Sequence, residues 1–526
     1  MFADLASSKI SSEIVTDIAV VGSGPAGIAL SRQLASFGRT VSLFESGDTD
    51  YSAAAQELND GIDVRGRNNY LGSCRIRAFG GTSFHWGGWC RPLDRIDFQK
   101  RDWIAHSGWP IDHDTLAAHY SAACRICDLD ADTFDLASWS GRRAQSAFLL
   151  PPERFVSSYF QLSKPTRFGE KFRDELAKSE RIKVYVNATV RSIELHPDGR
   201  SCDRLILMHP DGSQVPVRAR RFVIACGGIE NARLLLLSNS VMAAGIGNDR
   251  DLVGRYFMDH PAFTSGRLAA TDGDLQVGLY EHESAQRVRG FATLVPSDEL
   301  CAALQIPRFN VELLPELDST RKNLGKLKGS YWSIADSIKK GNFVDEIQPN
   351  LSRFMSIITD GSKYAIGEIL HSKPKVGQAD LRNHLETSPN PDSRVTLDRD
   401  GRDRFGLAQA RLDWRVAPAD FRGWTRGLRR LAEDIGAAGI GRVKLEQDEM
   451  SDFNALDYET SYHQIGTTRM HDTAAAGVVD RDCRVHGLDN LYIAGSSVFP
   501  TCGHANPTLT IVALSLRLAD HLRERG

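Results

Sequence analysis

Gly22, Gly24 and Gly27 stand in GxGxxG spacing between an apolar run, DIAVVG, and an amphipathic one, IALSRQLASF. Glu45 closes the next apolar run, TVSLFES, 18 residues after Gly27. This is the chemistry of a dinucleotide site. Glycines permit a tight turn and close backbone approach, a helix N-terminus faces the pyrophosphate, and the carboxylate accepts from a ribose hydroxyl. Pro25 and Ala26 complete the turn. The motif does not choose between NAD and FAD, and no second GxGxxG occurs.

A second cluster lies near the C-terminus. CGHANPTLT places His504, Asn506 and Pro507 within four positions. Asn, then Pro, then TLTIVALSLRLADHLRER predicts an N-cap at Asn506, proline at the first helical position, and a helix with Leu509, Val512, Leu516 and Ala519 on its apolar face. If that segment is extended, His504 and Asn506 face one way and His504 lines a pocket. The nine cysteines are odd in number and scattered, which fits reduced thiols. The one CxxC, Cys124 with Cys127, reads as core filling, and no metal site is expected.

These residues need elements to position them. DIAVVG, the glycine turn, the helix and TVSLFES form a βαβ unit whose continuous apolar strands suit a parallel sheet covered on both faces. TRFGEKFRDELAKS reads as a helix, and RIKVYV through RRFVIACGG as a β-meander with two DG-type turns. From about Pro261 to Ala455 the pattern is mixed: strands, a helix-leaning stretch through SYWSIADSIKKGNFVDEIQPNLSRFMSIITDGSKYAIGEIL, then strands at SRVTLDRDG and ARLDWRV. NLYIAGSS is a further strand. With 526 residues, 41% hydrophobic, 25% charged and a net charge of −3, the composition is that of a soluble globular chain with no nucleic-acid partner. The N-terminus lacks a basic, apolar, small-residue leader and no 18-residue apolar run occurs, so the expected location is cytoplasmic with no membrane segment.

Four further segments, RAFGGTSFHWGGW, ACGGIENARLLLLS, VGRYFMDHP, and YHQIGTTRM through NPTLTIVAL, together with the N-terminal turn, resemble the glucose-methanol-choline (GMC) oxidoreductases. Within that family they look most like the pyranose oxidases and bacterial sugar or glycoside dehydrogenases. The resemblance implies an α/β fold: a discontinuous FAD-binding, Rossmann-like domain over residues 1–98, 166–260 and 456–526. It is interleaved with an α+β substrate domain on an antiparallel sheet over 99–165 and 261–455. It implies oxidation of a sugar, glycoside or polyol alcohol, or alternatively of an aminocyclitol sugar or sterol-like alcohol, with O2, a quinone or another electron acceptor. A flavoprotein subunit of an electron-transfer complex is the rival from a different class, and a second copy or a small partner subunit is left open.

For FAD the resemblance implies Gly80, Gly81, Thr82, His85, Trp86, Gly87, Val190, Gly495, Ser496, Asn506, Pro507 and Thr508. Arg77 is a candidate for the pyrophosphate charge, and Thr82 or Ser83 for donors to its oxygens. Some members bond FAD covalently to a histidine placed like His85; the non-covalent state is favoured here over that link. Gly87 replaces a threonine of fungal pyranose 2-oxidases. His463 in YHQIGTTRM resembles the catalytic base and Asn506 its partner. Histidine starts near the required pKa of about 6.5, and an amide offers donors without competing as a base. Residues 265 to 380 match nothing quotable, and substrate choice is expected there.

Overall fold

The computed structural model describes all residues except 8–12, 67–69, 144–146, 165, 210–211, 283–288, 317–375, 452, 454–455, 457 and 526. The whole helix-leaning stretch, residues 330–370, and part of the expected substrate-selecting region therefore lie outside the described residues.

The βαβ unit forms as its periodicity predicts. Ile14–Val21 and Val41–Phe44 are strands, the second buried throughout, and Pro25–Ser36 is the helix between them with proline in its first turn. They lie inside an eight-stranded sheet whose order is Phe2–Asp4, Ile182–Val186, Val41–Phe44, Ile14–Val21, Gln214–Ile224, Cys202–Met208 and Thr189–Leu195, with Leu491–Ile493 on the far end of Gln214–Ile224. The β-meander is thus only partly realised. Ile182–Val186 leaves it to pair in parallel with Val41–Phe44 and Phe2–Asp4, and only the three strands after it run antiparallel. Its Ile182, Val184 and Val186 gain burial on the sheet that a hairpin with the next strand would not give them.

The second eight-stranded sheet is antiparallel: Gly441–Leu445, Pro261–Ala270, Gln378–Leu385, Phe309–Pro315, Gly290–Pro296, Phe155–Leu162 and Trp89–Cys90, with Glu459–Thr460 also on Pro261–Ala270. A three-stranded sheet joins Arg394–Arg402, Ala408–Asp413 and Gly61–Asp63. Two apolar cores follow. One fills the parallel sheet and its helices; the other packs Phe309, Leu381 and their neighbours against the helix Pro418–Ala437 through Trp424 and Leu428. Cys124 and Cys127 are buried in the first core beside Cys90, and burial pushes the Cys124 thiol up to about 12.

The last helix, Thr508–Glu524, presents Leu509, Val512, Leu516 and Ala519 inward and packs on Pro25–Ser36 and His113–Ile126. Its start corrects the sequence reading. Pro507 rather than Asn506 precedes the first helical residue, and no side chain caps the helix. Among the described residues no helix is long and apolar enough to cross a membrane.

Candidate active site

A cavity of about 430 Å³ lies between the two large sheets, where the parallel strands end, within the range of small-molecule sites. Of the cofactor, catalytic and pocket residues expected from the sequence, all but Gly27, Gly80 and His504 line it. Gly27 and Gly80 serve packing instead. A Cβ on Gly27 would meet the Gly22 carbonyl at 1.9 Å, and one on Gly80 the Gly169 amide at 2.5 Å.

The dinucleotide side is built from the turn upward. Ser23 donates to Glu45 through its backbone N–H (3.1 Å) and its hydroxyl (2.6 Å), and the Gly47 amide donates to the other carboxylate oxygen (2.9 Å). Glu45 therefore braces the turn as well as lining the cavity. Gly24, Gly227 and Gly495 also line it, and a Cβ at each would meet no protein atom within 4 Å. This open main chain beside a helix N-terminus is what a planar, phosphate-bearing cofactor requires, so the residues present fit FAD.

Arg77 lines the cavity, but its guanidinium is already engaged. It donates to Asn59 Oδ1 (2.8 Å), Ser46 Oγ (3.0 Å) and the Leu58 carbonyl (3.2 Å), and pairs with Glu230 at 2.9 Å. Arg75 and Arg233 also touch Glu230, and Asp403 pairs with Arg233. Burial alone would raise the Glu230 pKa, but Arg77, Arg233 and Arg75 outweigh it and hold the carboxyl well below its usual range. Three cations thus face Glu230 and Asp403, with Glu45 one hydroxyl away through Ser46, so Arg77 sits within a charge cluster rather than standing as a lone phosphate ligand. Ser83 lines the cavity beside Thr82, but its hydroxyl is committed, donating to the Gly80 carbonyl and accepting from the Phe168 amide. His85 faces Tyr462 with ring centroids 6.3 Å apart, and burial, then Arg167, lower its pKa.

At the other end, His463 and Asn506 meet. Asn506 Nδ2 lies 3.3 Å from His463 Nε2. His463 Nδ1 lies 2.8 Å from Nδ1 of His260, whose Nε2 lies 2.8 Å from the Gly503 carbonyl. Burial, then His260 and His384, hold the His463 pKa well below its ordinary value, so the ring is neutral at neutral pH. Asp259 Oδ1 accepts from the backbone amides of both His260 (2.7 Å) and His463 (2.8 Å), and Tyr70 donates its hydroxyl to Oδ2 (2.7 Å). Tyr70, Asp259 and His260 were not assigned roles from sequence, although MDHP was one of the segments that drew notice.

The antiparallel sheet supplies the remaining wall through Trp89, Ala262, Arg382 and His384. Buried Glu312 contacts His282 Nε2 at 2.5 Å and His384 Nε2 at 3.5 Å, and Trp89 lies 5.2 Å from each histidine ring. Burial opposes ionisation of Glu312, but the two histidines bring its pKa down to about 2. The wall thus combines an aromatic ring with charged and polar groups.

His504 does not line the cavity. It is 2% exposed, with Nε2 3.1 Å from Asp94 Oδ2, an oxygen that also accepts from Arg308 at 2.8 Å. The segment is bent at His504 and Ala505 rather than extended, and the His504 side chain turns to this buried charge cluster. Burial, only partly offset by Asp94, lowers its pKa to about 4. An unfolded histidine titrates near 6.5, so between pH 6.5 and 4 the unfolded chain binds protons that folded His504 refuses. Its contribution is full above 6.5 and is lost as pH falls. His504→Ala is expected to cost about 1–3 kcal/mol in unfolding titrations and to leave substrate turnover within a few-fold.

Comparison with known proteins gives a consistent picture. Residues 389–515 match the family model described as GMC oxidoreductase. The chain is 22% identical to 2-methyl-1,2-propanediol dehydrogenase of Mycolicibacterium austroafricanum over 97% of its own length and 95% of the relative's. It is 27% identical to the fructose dehydrogenase large subunit of Gluconobacter japonicus over 65% of this chain and 54% of that one. Among solved structures, pyridoxine 4-oxidase from Mesorbium loti superposes with a TM-score of 0.54 at 16% identity, covering 97% of this chain and 99% of that chain, which speaks to fold alone.

Proposed function

We propose that this chain, which is an oxidoreductase of the GMC family, uses FAD to oxidise an alcohol group of a sugar, glycoside or polyol to a carbonyl. The observation that carries the reading is the pairing of neutral His463 with Asn506 in the same cavity as the open glycine turn. In this reading residues 1–98, 166–260 and 456–526 hold the cofactor, and 99–165 and 261–455 shape the substrate side. The Gly22 to Gly27 turn, Glu45, Thr82 and Val190 would hold FAD. When bound, the flavin supplies the acceptor for the carbinol hydride at N5.

The chain's own residues do the rest. His463 Nε2 takes the hydroxyl proton, and Asn506 donates to the substrate oxygen as negative charge develops on it. A neutral histidine is the required form, and its depressed pKa keeps that form available down to acidic pH. Activity should therefore be flat across neutral pH and fall only on an acid limb below 6.5. Trp89, His384 and Arg382 give the wall an aromatic face and polar groups suited to a hydroxyl-rich substrate rather than a sterol.

The test is anaerobic mixing with 2-methyl-1,2-propanediol, D-fructose, simple glycosides, an aminocyclitol sugar and a sterol, followed by air. Bleaching of the flavin by hydroxyl-rich compounds is expected; bleaching by the sterol alone would overturn the substrate class. Reoxidation by air marks an oxidase, and its absence a dehydrogenase that needs another acceptor. We read the cofactor as non-covalent, so acid precipitation should release the yellow colour into the supernatant. A coloured pellet would instead assign a covalent bond, with His85 as its bearer.

A further inference from the structure

His260 is 2% exposed beneath the cavity, and both of its ring nitrogens are engaged. A carbonyl oxygen only accepts, so the nitrogen facing Gly503, Nε2, carries a hydrogen. Burial first, and His384 in part, lower the His260 pKa to about 4. The ring is therefore neutral at neutral pH, and its Nδ1 holds a lone pair. The hydrogen lying between the two Nδ1 atoms then belongs to His463. Since His463 is neutral too, its Nε2 is bare, and that is the nitrogen beside Asn506. One backbone carbonyl, acting through two rings, sets which nitrogen meets the substrate.

We infer that His260 is a positioning residue that locks His463 in the tautomer with a bare Nε2 and shares the positive charge once the substrate proton arrives. The inference rests on the reading of His463 as the base. The substrate O–H bond breaks with its electron pair left on the oxygen, and the proton bonds to His463 Nε2. The His463 Nδ1 hydrogen shifts toward His260 Nδ1, whose Nε2–H stays on the Gly503 carbonyl, and no other bond changes. The two rings keep their register because one oxygen of Asp259 holds both backbone amides and Tyr70 holds the other. The Gly503 carbonyl is fixed as well. Its residue is left-handed, and a Cβ there would meet Asp97 Oδ2 at 2.6 Å. The charged or titratable groups facing the pair are Asp259, His384 and Glu386, the last ion-paired with Arg101 at 2.5 Å.

Two substitutions in the holoenzyme separate this role from space-filling. His260→Phe keeps a ring but removes the acceptor; His260→Asn puts an amide oxygen where Nδ1 was. We expect flavin reduction by the fastest alcohol of the panel to fall about 10- to 100-fold in His260→Phe and to recover to within about threefold in His260→Asn. A merely structural role predicts the opposite order. Flavin content and melting temperature establish that each variant is folded. As a readout independent of turnover, ¹⁵N-histidine spectra of the wild-type holoenzyme should show His463 Nε2 as an unprotonated nitrogen between pH 6 and 8, and mixed tautomers in His260→Phe. Equal rates for wild type and His260→Phe, or a protonated His463 Nε2 in the wild type, would overturn the inference. His463→Ala, measured alongside, tells the two readings apart. If it leaves reduction intact, the base assignment and this inference both fall. If it abolishes reduction while His260→Phe does not slow it, only the inference falls.

Discussion

His463→Ala is expected to slow anaerobic flavin reduction by about 10²- to 10⁴-fold, the usual contribution of a positioned general base. Two features make the expectation specific. The ring lines the cavity, and its low pKa leaves Nε2 free to accept at neutral pH. Substrate affinity should change less than the rate, because Asn506 and the Trp89 wall remain to bind the hydroxyl-rich ligand. His504→Ala supplies the contrast, being the histidine that the CGHANPTLT stretch makes most visible and that the fold turns away. Stopped-flow traces of the two variants at saturating alcohol decide the matter. Loss of rate in His504→Ala with normal rate in His463→Ala would reverse the assignment.

The second large effect concerns two glycines three residues apart. Gly24→Ala introduces a methyl that meets no protein atom within 4 Å, on a residue with an ordinary φ of −69°. The only thing in its way is whatever fills the cavity. The protein stripped of flavin should melt as the wild type does, within about 0.5 kcal/mol, yet retain several-fold less flavin through gel filtration. Gly27→Ala would place its methyl 1.9 Å from the Gly22 carbonyl. It should lose flavin and stability together, by about 4 kcal/mol or more. Full flavin content in Gly24→Ala would show that the dinucleotide does not lie against this turn.

The contrast between these glycines illustrates what could be read from sequence. The strand, turn and helix around them are local: a buried β-branched strand, glycines at fixed spacing, and proline in the first helical turn each leave a mark within a few residues. The placement of His463 with Asn506 in one cavity agrees with the family resemblance, but spacing alone carried no such information across 43 residues. Asn506 shows why local reading stops there. The cap that its local sequence suggests is absent, and its amide nitrogen meets a histidine 43 residues away. The segment holding His260 drew notice, but its role was not legible for the same reason, since its partners His463 and Gly503 lie 203 and 243 residues away. Trp89–Cys90 is a strand of two residues, too short to show any period, yet it places the aromatic ring of the substrate wall.

The order of the sheets has a consequence for biosynthesis. The cavity draws on the glycine turn near one end of the chain and on Gly495, Ser496 and Asn506 near the other. The strand Leu491–Ile493 seats on Gln214–Ile224, and the final helix packs against the first. A ribosome must therefore emit the chain from Gly22 through Asn506 before the pocket has all its walls, and such distant pairings assemble slowly. In cells starved of riboflavin the finished chain would wait with its cleft open, so soluble yield, more than specific activity, should follow vitamin supply.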